Sequence, residues 1–134
     1  MCGRYALYAN LPRIFDIMEV LEHIELELEP RYNIAPSQRA PVIRLTRGAG
    51  RRLDPLRWGL VPHWSAGPDT RYSMINARAE SLADKPAYRE AFRRRRCLVP
   101  ATGFYEWQRG DGHKQPWLVA RKDGDPMAFA GLWE

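Results

Sequence analysis

The chain has 134 residues, a length that suits one domain with a real hydrophobic core. Hydrophobic residues make up 45% of it and five residues are tryptophans, which excludes a disordered tail. No apolar run approaches membrane-spanning length and no secretory segment opens the chain, so neither a membrane role nor secretion is expected.

The positive charge of the chain is carried almost entirely by arginine. The formal net charge is +5, with eighteen arginines and three lysines. The segment 16–29 holds six acids and no arginine or lysine, so the remainder is more basic than the total suggests. Because guanidinium groups match phosphate and stack on bases, this balance favours a nucleic-acid partner. A genomic bias toward GC-rich codons is the alternative explanation of the excess.

Cysteine and histidine usage predicts the compartment and the absence of a metal. Two cysteines, Cys2 and Cys97, make a weak case for a disulfide, so a reducing cytoplasm is predicted, with nucleoid association in a bacterium. The histidines His23, His63 and His113 have none of the spacings of a zinc site. No metal and no other cofactor are therefore expected.

The first third of the chain predicts a strand followed by one short helix. Residues 2–8 have the pattern of a strand, and Asn10 can cap a helix that tolerates Pro12 in its first turn. Apolar residues recur at helical spacing at Leu11, Ile14, Phe15, Met18 and Leu21. Apolar residues then alternate with glutamates over 24–28, which fits either a brief strand or a solvated edge.

The rest of the chain predicts mostly strands. Segments 41–46 and 51–58 flank a glycine-containing turn as a hairpin, and a helix is expected over 86–95. Four further strands are expected to form a meander, at 97–100, 103–109, 115–121 and 127–134. The predicted fold class is α+β, a mostly antiparallel, open barrel-like sheet with a few short helices, in one domain over 1–134. Because the chain stops inside an apolar strand, the C-terminal part of the fold is expected to be missing.

The position of Cys2 gives it an unusual reactivity. If Met1 is removed, Cys2 carries an α-amine and a thiol on adjacent carbons, both partly deprotonated near neutral pH. The amine condenses with an aldehyde to an imine, and the sulfur then closes a five-membered thiazolidine. An incidental small thiol in a first strand is the alternative interpretation.

Other candidates lie in polar or aromatic segments. Glu106 sits between Tyr105 and Trp107 in a strand, so it faces away from both, toward a cleft for proton transfer or toward water. Asn76 can orient a substrate or tie down a turn, and Arg78 shares its face if the segment is extended.

Tryptophans in the loop 58–68 and the arginine run 93–96 are weaker candidates. Trp64 can stack on exposed bases, whereas Trp58 has the better claim to a core position. Arginines 93–96 fit the C-terminus of a helix, with phosphate attraction a secondary possibility.

Four segments in this order, MCGRY (1–5), RYNIAPSQ (31–38), INARAE (75–80) and GFYEW (103–107), closely resemble the SRAP family, the SOS response-associated peptidase-like proteins. That resemblance implies shielding of abasic sites in single-stranded DNA. It also implies a site in which Cys2 forms the thiazolidine, Asn76 lies beside it and Glu106 acts as acid and base. The family pattern continues further and includes a downstream active-site histidine that His113 does not match.

By the same resemblance, three further residues contact DNA. Arg4 and Arg78 correspond to arginines that hold phosphates, and Trp64 to an aromatic residue that helps splay the strand. Two other functions stay open. One is an N-terminal-nucleophile peptidase in which the Cys2 thiol attacks a carbonyl. The other is non-covalent binding of single strands, with Cys2 as a spectator.

Overall fold

The computed structural model describes residues 2–23, 28–48, 50–68, 74–110 and 112–134. Within these ranges the chain forms two α-helices, one 3-10 helix (Ala79–Ser81) and nine strands. The helices are α1 (Leu11–Met18) and α2 (Pro86–Arg94). The strands are β1 (Tyr5–Leu7), β2 (Val20–His23), β3 (Arg31–Ile34), β4 (Arg39–Thr46), β5 (Gly50–Arg57), β6 (Arg96–Ala101), β7 (Gly103–Arg109), β8 (Lys114–Ala120) and β9 (Met127–Leu132). The predicted α+β class is confirmed.

The strands form two sheets. One sheet has four strands in the order β3-β1-β7-β8, and the other has five in the order β2-β5-β4-β6-β9. All pairs are antiparallel except β2 with β5. The predicted hairpin is confirmed as β4–β5, which pair along their full lengths from Arg39↔Arg57 to Thr46↔Gly50.

Helix α1 begins where the sequence predicts and ends one turn earlier. The Asn10 side chain accepts a hydrogen bond from the Arg13 amide at 2.9 Å, which satisfies one of the free donors of the first turn. Glu19 takes a left-handed conformation (φ 51°, ψ 49°) and its amide closes the helix on the Phe15 carbonyl. Leu21 therefore leaves the helix for strand β2 and is 75% exposed, so its predicted place on the helical face is wrong.

The core lies between the two sheets and α1. Ile14 of α1 and Ile34, Ile43 and Leu53 of the strands are almost completely buried. They form one cluster, against which Cys2, Trp58 and Phe129 pack as partly buried residues. Burying a large aliphatic side chain contributes about 1.5–3 kcal/mol, so this cluster fixes how the two sheets meet. Cys2 is thereby held at the junction of the sheets.

The predicted C-terminal meander is wrong except for its β7–β8 hairpin. Strand β6 pairs with β4 and β9, whereas β7 pairs with β1 and β8, so the chain changes sheet between β6 and β7 and again between β8 and β9. The chain changes sheet at Thr102. The Thr102 amide donates to the Ala6 carbonyl at 2.8 Å, and its hydroxyl accepts from the amides of Tyr8 and Ala9 at 3.0 Å. These bonds place β7 beside β1 rather than beside β6.

Three smaller differences remain. The first strand is shorter than predicted, at Tyr5–Leu7, and strand β3 in the segment 31–38 was not predicted. Helix α2 ends at Arg94, within one residue of the prediction. Most of the ambiguous segment 24–28 lies outside the described residues, apart from Leu28, which packs on the core.

Candidate functional site

Cys2 lies half-buried at the junction of the two sheets. Its thiol donates a hydrogen bond to the Arg4 carbonyl at 2.8 Å. Burial raises the pKa of the Cys2 thiol, and the negative charge of Glu106 raises it further, while backbone hydrogen bonds at Arg4 and Tyr105 partly oppose the change. The thiol is therefore protonated at neutral pH and must lose its proton before the sulfur can attack.

Asn76 is held against Cys2. Its side-chain nitrogen donates to the Cys2 carbonyl oxygen at 2.8 Å, across 74 positions of sequence. The segment that carries Asn76 is itself fixed to the loop after β5. The Trp58 indole nitrogen donates to the Ile75 carbonyl at 2.9 Å, and the Leu60 amide donates to the Met74 carbonyl at 3.0 Å. Trp58 is thus a positioning residue for Asn76, a role that its sequence position did not reveal.

Glu106 approaches the same site from strand β7. It is exposed rather than enclosed in an apolar cleft, and its charge acts on the Cys2 thiol. The register of β7 and β8 places it directly opposite Trp117. An exposed carboxylate beside a thiol can exchange protons with both the site and water, which is what acid–base catalysis requires.

Arg4 also belongs to this cluster. Its guanidinium donates to the Asn33 side chain at 2.9 Å, and its carbonyl accepts from the Tyr105 amide at 3.0 Å as well as from the Cys2 thiol. Asn33 lies in β3, so the segment 31–38 contributes to the site by orienting Arg4. The segment 31–38 is one of the four that resemble SRAP proteins, but the sequence predicted no role for Asn33.

Arg78 and Trp64 are the two remaining site residues that the sequence predicts. Arg78 is exposed and precedes the 3-10 helix, two residues after Asn76. Trp64 is 57% exposed, with its ring edge-to-face against His63 at a centroid distance of 4.9 Å. Within the described ranges, no hydrogen bond, ion pair or ring contact joins either residue to Cys2.

A cavity of about 710 Å³ opens beside Cys2. Its walls are mostly apolar side chains of the five-stranded sheet and of the segments 58–61 and 74–77, and both Cys2 and Asn76 line it. Tyr5 lines it too; burial raises the pKa of its phenol, whose oxygen has no hydrogen-bond partner among the described residues. A volume of this size lies in the range of ligand pockets in proteins.

The described residues contain neither a metal-binding cluster nor a membrane-spanning helix. No group of three or more histidine, cysteine, aspartate or glutamate side chains is arranged to hold a metal ion. No helix in the described ranges is long and apolar enough to cross a membrane.

The family model described as SOS response associated peptidase (SRAP) matches residues 1–134. The chain belongs to the SRAP family. The abasic site processing protein YoaM of Bacillus subtilis is 43% identical over 136 residues, which cover all of this chain and 60% of YoaM. This SRAP chain thus spans about 60% of the length of the curated relative it matches.

Solved structures share the SRAP chain's fold. A Bordetella bronchiseptica protein superimposes with a TM-score of 0.82 at 24% identity, over 99% of this chain and 64% of that one. A phage-related protein of the same organism gives a TM-score of 0.73 at 34% identity, over 98% of this chain and 60% of that one. The two-sheet arrangement is therefore shared with these solved structures.

Proposed function

We propose that this SRAP chain shields abasic sites in single-stranded DNA by a covalent thiazolidine link between Cys2 and the open-chain sugar aldehyde. The names of relatives such as YoaM support a role in abasic-site processing. The observation that carries the proposal is the 2.8 Å hydrogen bond from the Asn76 side chain to the Cys2 carbonyl. It lies beside the half-buried Cys2 thiol, whose pKa the charge of Glu106 raises. The proposed setting is the cytoplasm, with nucleoid association in a bacterium.

The first step is imine formation. After removal of Met1, the α-amine of Cys2 attacks the C1′ aldehyde and gives a carbinolamine. Glu106 takes a proton from the nitrogen and returns one to the hydroxyl, which leaves as water. Asn76 holds the Cys2 carbonyl, so the amine and the thiol stay in one orientation toward the sugar.

The second step is ring closure. The thiol proton is transferred to the Glu106 carboxylate, the sulfur attacks the imine carbon, and the nitrogen receives a proton. The overall change is aldehyde plus aminothiol to thiazolidine plus one water, with no oxidant or reductant. Because the thiol pKa is raised, this proton transfer requires a nearby base, and the carboxylate whose charge acts on the thiol supplies it.

Three residues serve DNA binding in this proposal. Arg4, oriented by Asn33, and the exposed Arg78 hold phosphates on either side of the lesion, which gives affinity independent of base sequence. Trp64 is exposed enough to stack on an unpaired base and splay the strand. A single strand suits this chemistry because an N-terminus fixed at a sheet junction cannot follow a sugar into a duplex.

Cross-linking to an oligonucleotide with one abasic site tests the proposal. The wild type and Cys97→Ala should both form a heat-stable adduct, since Cys97 has no part in the reaction. Cys2→Ala should form none, and Cys2→Ser should form an imine that is trapped only by a reductant. A heat-stable adduct in Cys2→Ala would refute the proposal.

Two parallel measurements separate the alternative functions. Cleavage of peptide substrates that depends on Cys2, without an adduct on DNA, would instead indicate a peptidase. Binding that ignores the abasic site and disappears with salt would indicate a non-covalent single-strand binder.

A further inference from the structure

In the β4–β5 hairpin, two arginines of β4 lie directly opposite two arginines of β5. The register places Arg44 directly opposite Arg52, and Arg39 directly opposite Arg57. Like charges in directly opposite positions of an antiparallel pair destabilise the sheet. Each pair therefore needs a negative partner, either within the protein or from outside.

The first pair has its partner inside the protein. Asp54, only 6% exposed, accepts from the Arg44 guanidinium at 2.5 Å and from the Arg52 guanidinium at 3.0 Å. Burial alone would raise the pKa of Asp54, but its hydrogen bonds with the two guanidinium groups keep that pKa below its usual value. This carboxylate stays ionised and neutralises the repulsion between the two strands.

The second pair has no such partner among the residues that the structure describes. Arg39 and Arg57 are exposed, and no carboxylate of the described residues makes an ion pair with either one. Glu29 borders the same surface cleft as Arg39 without pairing with it. A third guanidinium adds to the charge, because Arg31 donates to the Arg39 carbonyl and to the Gln38 side chain.

Arg57 also borders the cavity beside Cys2, which Asn76 lines as well. Its guanidinium lies against the next turn, where a Cβ on Gly59 would stand 3.1 Å from the Arg57 Nη1 atom. Gly59 also has φ +129°, a conformation that side chains rarely adopt. A glycine here therefore both permits the turn and leaves room for the guanidinium.

The pair is also linked to the site through the backbone. The Trp58 amide donates to the Gln38 carbonyl at 2.9 Å, and the Ser37 amide donates to the Trp58 carbonyl at 2.8 Å. Trp58 follows Arg57 and binds the Ile75 carbonyl next to Asn76. The chain neighbours of Arg39 and Arg57 thus begin a series of contacts that runs through Trp58 and Asn76 to Cys2.

We infer that Arg39 and Arg57 form a phosphate-binding clamp for the backbone of single-stranded DNA, on the strand beyond the nucleotide at Cys2. The inference rests on the proposed function for its choice of DNA. Phosphate oxygens supply the negative partner that this pair lacks among the described residues. Guanidinium groups bind them through paired hydrogen bonds without reading base sequence.

The test is equilibrium binding to an undamaged oligothymidylate of about 20 nucleotides, long enough to cover one single-strand site. With no aldehyde present, the result does not depend on Cys2 chemistry, and Cys2→Ala should bind like the wild type. The double variant Arg39→Gln/Arg57→Gln should bind about tenfold more weakly near 0.1 M salt, and its plot of log K against log salt should be shallower by about 1–1.5. The variant Arg39→Lys/Arg57→Lys should recover most of the slope.

Two controls make the result specific. Arg109→Gln/Lys122→Gln also removes two exposed positive charges and should leave affinity and slope within about twofold of the wild type. The thermal midpoint of Arg39→Gln/Arg57→Gln should be unchanged or higher, because a repulsive pair has been removed. A lower thermal midpoint of this variant together with weaker DNA binding would show that the arginine pair has a structural role. A salt slope equal to that of the wild type would overturn the inference of a clamp.

One further arm distinguishes DNA from free phosphate. Inorganic phosphate, at the concentration of phosphate groups in the bound oligonucleotide, should not displace it from the wild type. Displacement that requires Arg39 and Arg57 would show an isolated anion site and overturn the inference. A heat-stable adduct in Cys2→Ala, together with the expected salt slopes of the arginine variants, would refute the proposed function and leave the clamp standing, so the two proposals fail separately.

Discussion

The two cysteines line one cavity and differ in everything that matters for reactivity. Cys97 lies in β6, is 8% exposed, and burial raises its pKa to about 11. Its sulfur fills the space above Gly131, where an added Cβ would stand 2.8 Å from it. Cys2 is half-buried. Its thiol and its carbonyl both make hydrogen bonds, and the charge of the Glu106 carboxylate raises the pKa of its thiol. Burial alone gives an inert thiol, whereas partial burial among polar groups gives one whose proton can be moved.

The largest expected difference between the cysteines is in alkylation. In the native protein at pH 8, iodoacetamide should modify Cys2 roughly a thousandfold faster than Cys97, since Cys97 must wait for the structure to open. Peptide mapping by mass spectrometry measures both rates in one sample. In guanidinium chloride, which unfolds the protein, the difference between the two alkylation rates should disappear. Comparable rates at Cys2 and Cys97 in the native protein would contradict the expected difference in reactivity.

Asn76 sharpens the comparison because, in the described part of the chain, no side chain donates to the Cys97 carbonyl as Asn76 does to that of Cys2. Asn76→Ala removes the anchor of the Cys2 carbonyl and should slow adduct formation about 10- to 100-fold through lost orientation. Asn10→Ala is the matched control: it removes the cap of α1, costs about 1 kcal/mol of stability and leaves the rate unchanged. Equal rates in Asn76→Ala and the wild type would show that the contact is only structural.

The smallest expected effect concerns the charge of Glu106. Because that charge raises the Cys2 pKa, Glu106→Gln should lower it, and the thiolate should form at lower pH. The midpoint of the alkylation rate against pH, measured in a Cys97→Ala background, should therefore move down. Cross-linking should nevertheless become slower, because the acid and base has been lost. A midpoint that moves up, or does not move, would place Glu106 outside the site.

Local patterns predicted much of the secondary structure. The cap at Asn10, the β4–β5 hairpin and helix α2 each depend on neighbouring residues and were predicted well. Among the last four strands the β7–β8 hairpin was predicted, whereas the pairing of β6 with β9 and of β7 with β1 was not, because these pairs depend on contacts distant in sequence. The end of α1 was missed because the left-handed residue is a glutamate rather than a glycine.

The candidate site was predicted only in part, because its supporting contacts also join residues that are distant in sequence. Resemblance to SRAP motifs named Cys2, Asn76 and Glu106, and the structure brings these residues together. The supporting contacts, from Trp58 to Ile75 and from Arg4 to Asn33, join segments that no local pattern connects. A tryptophan whose indole nitrogen binds a backbone carbonyl has the same sequence signal as any core tryptophan.

The most direct test of the central claim is the intact mass of the adduct with an abasic oligonucleotide, formed by Cys97→Ala. The mass should equal that of the chain without Met1 plus that of the oligonucleotide, less one water. It should not change on treatment with borohydride or iodoacetamide, because a thiazolidine contains neither an imine nor a free thiol. An adduct that retains Met1, gains hydrogen from borohydride or is alkylated at Cys2 would contradict the account.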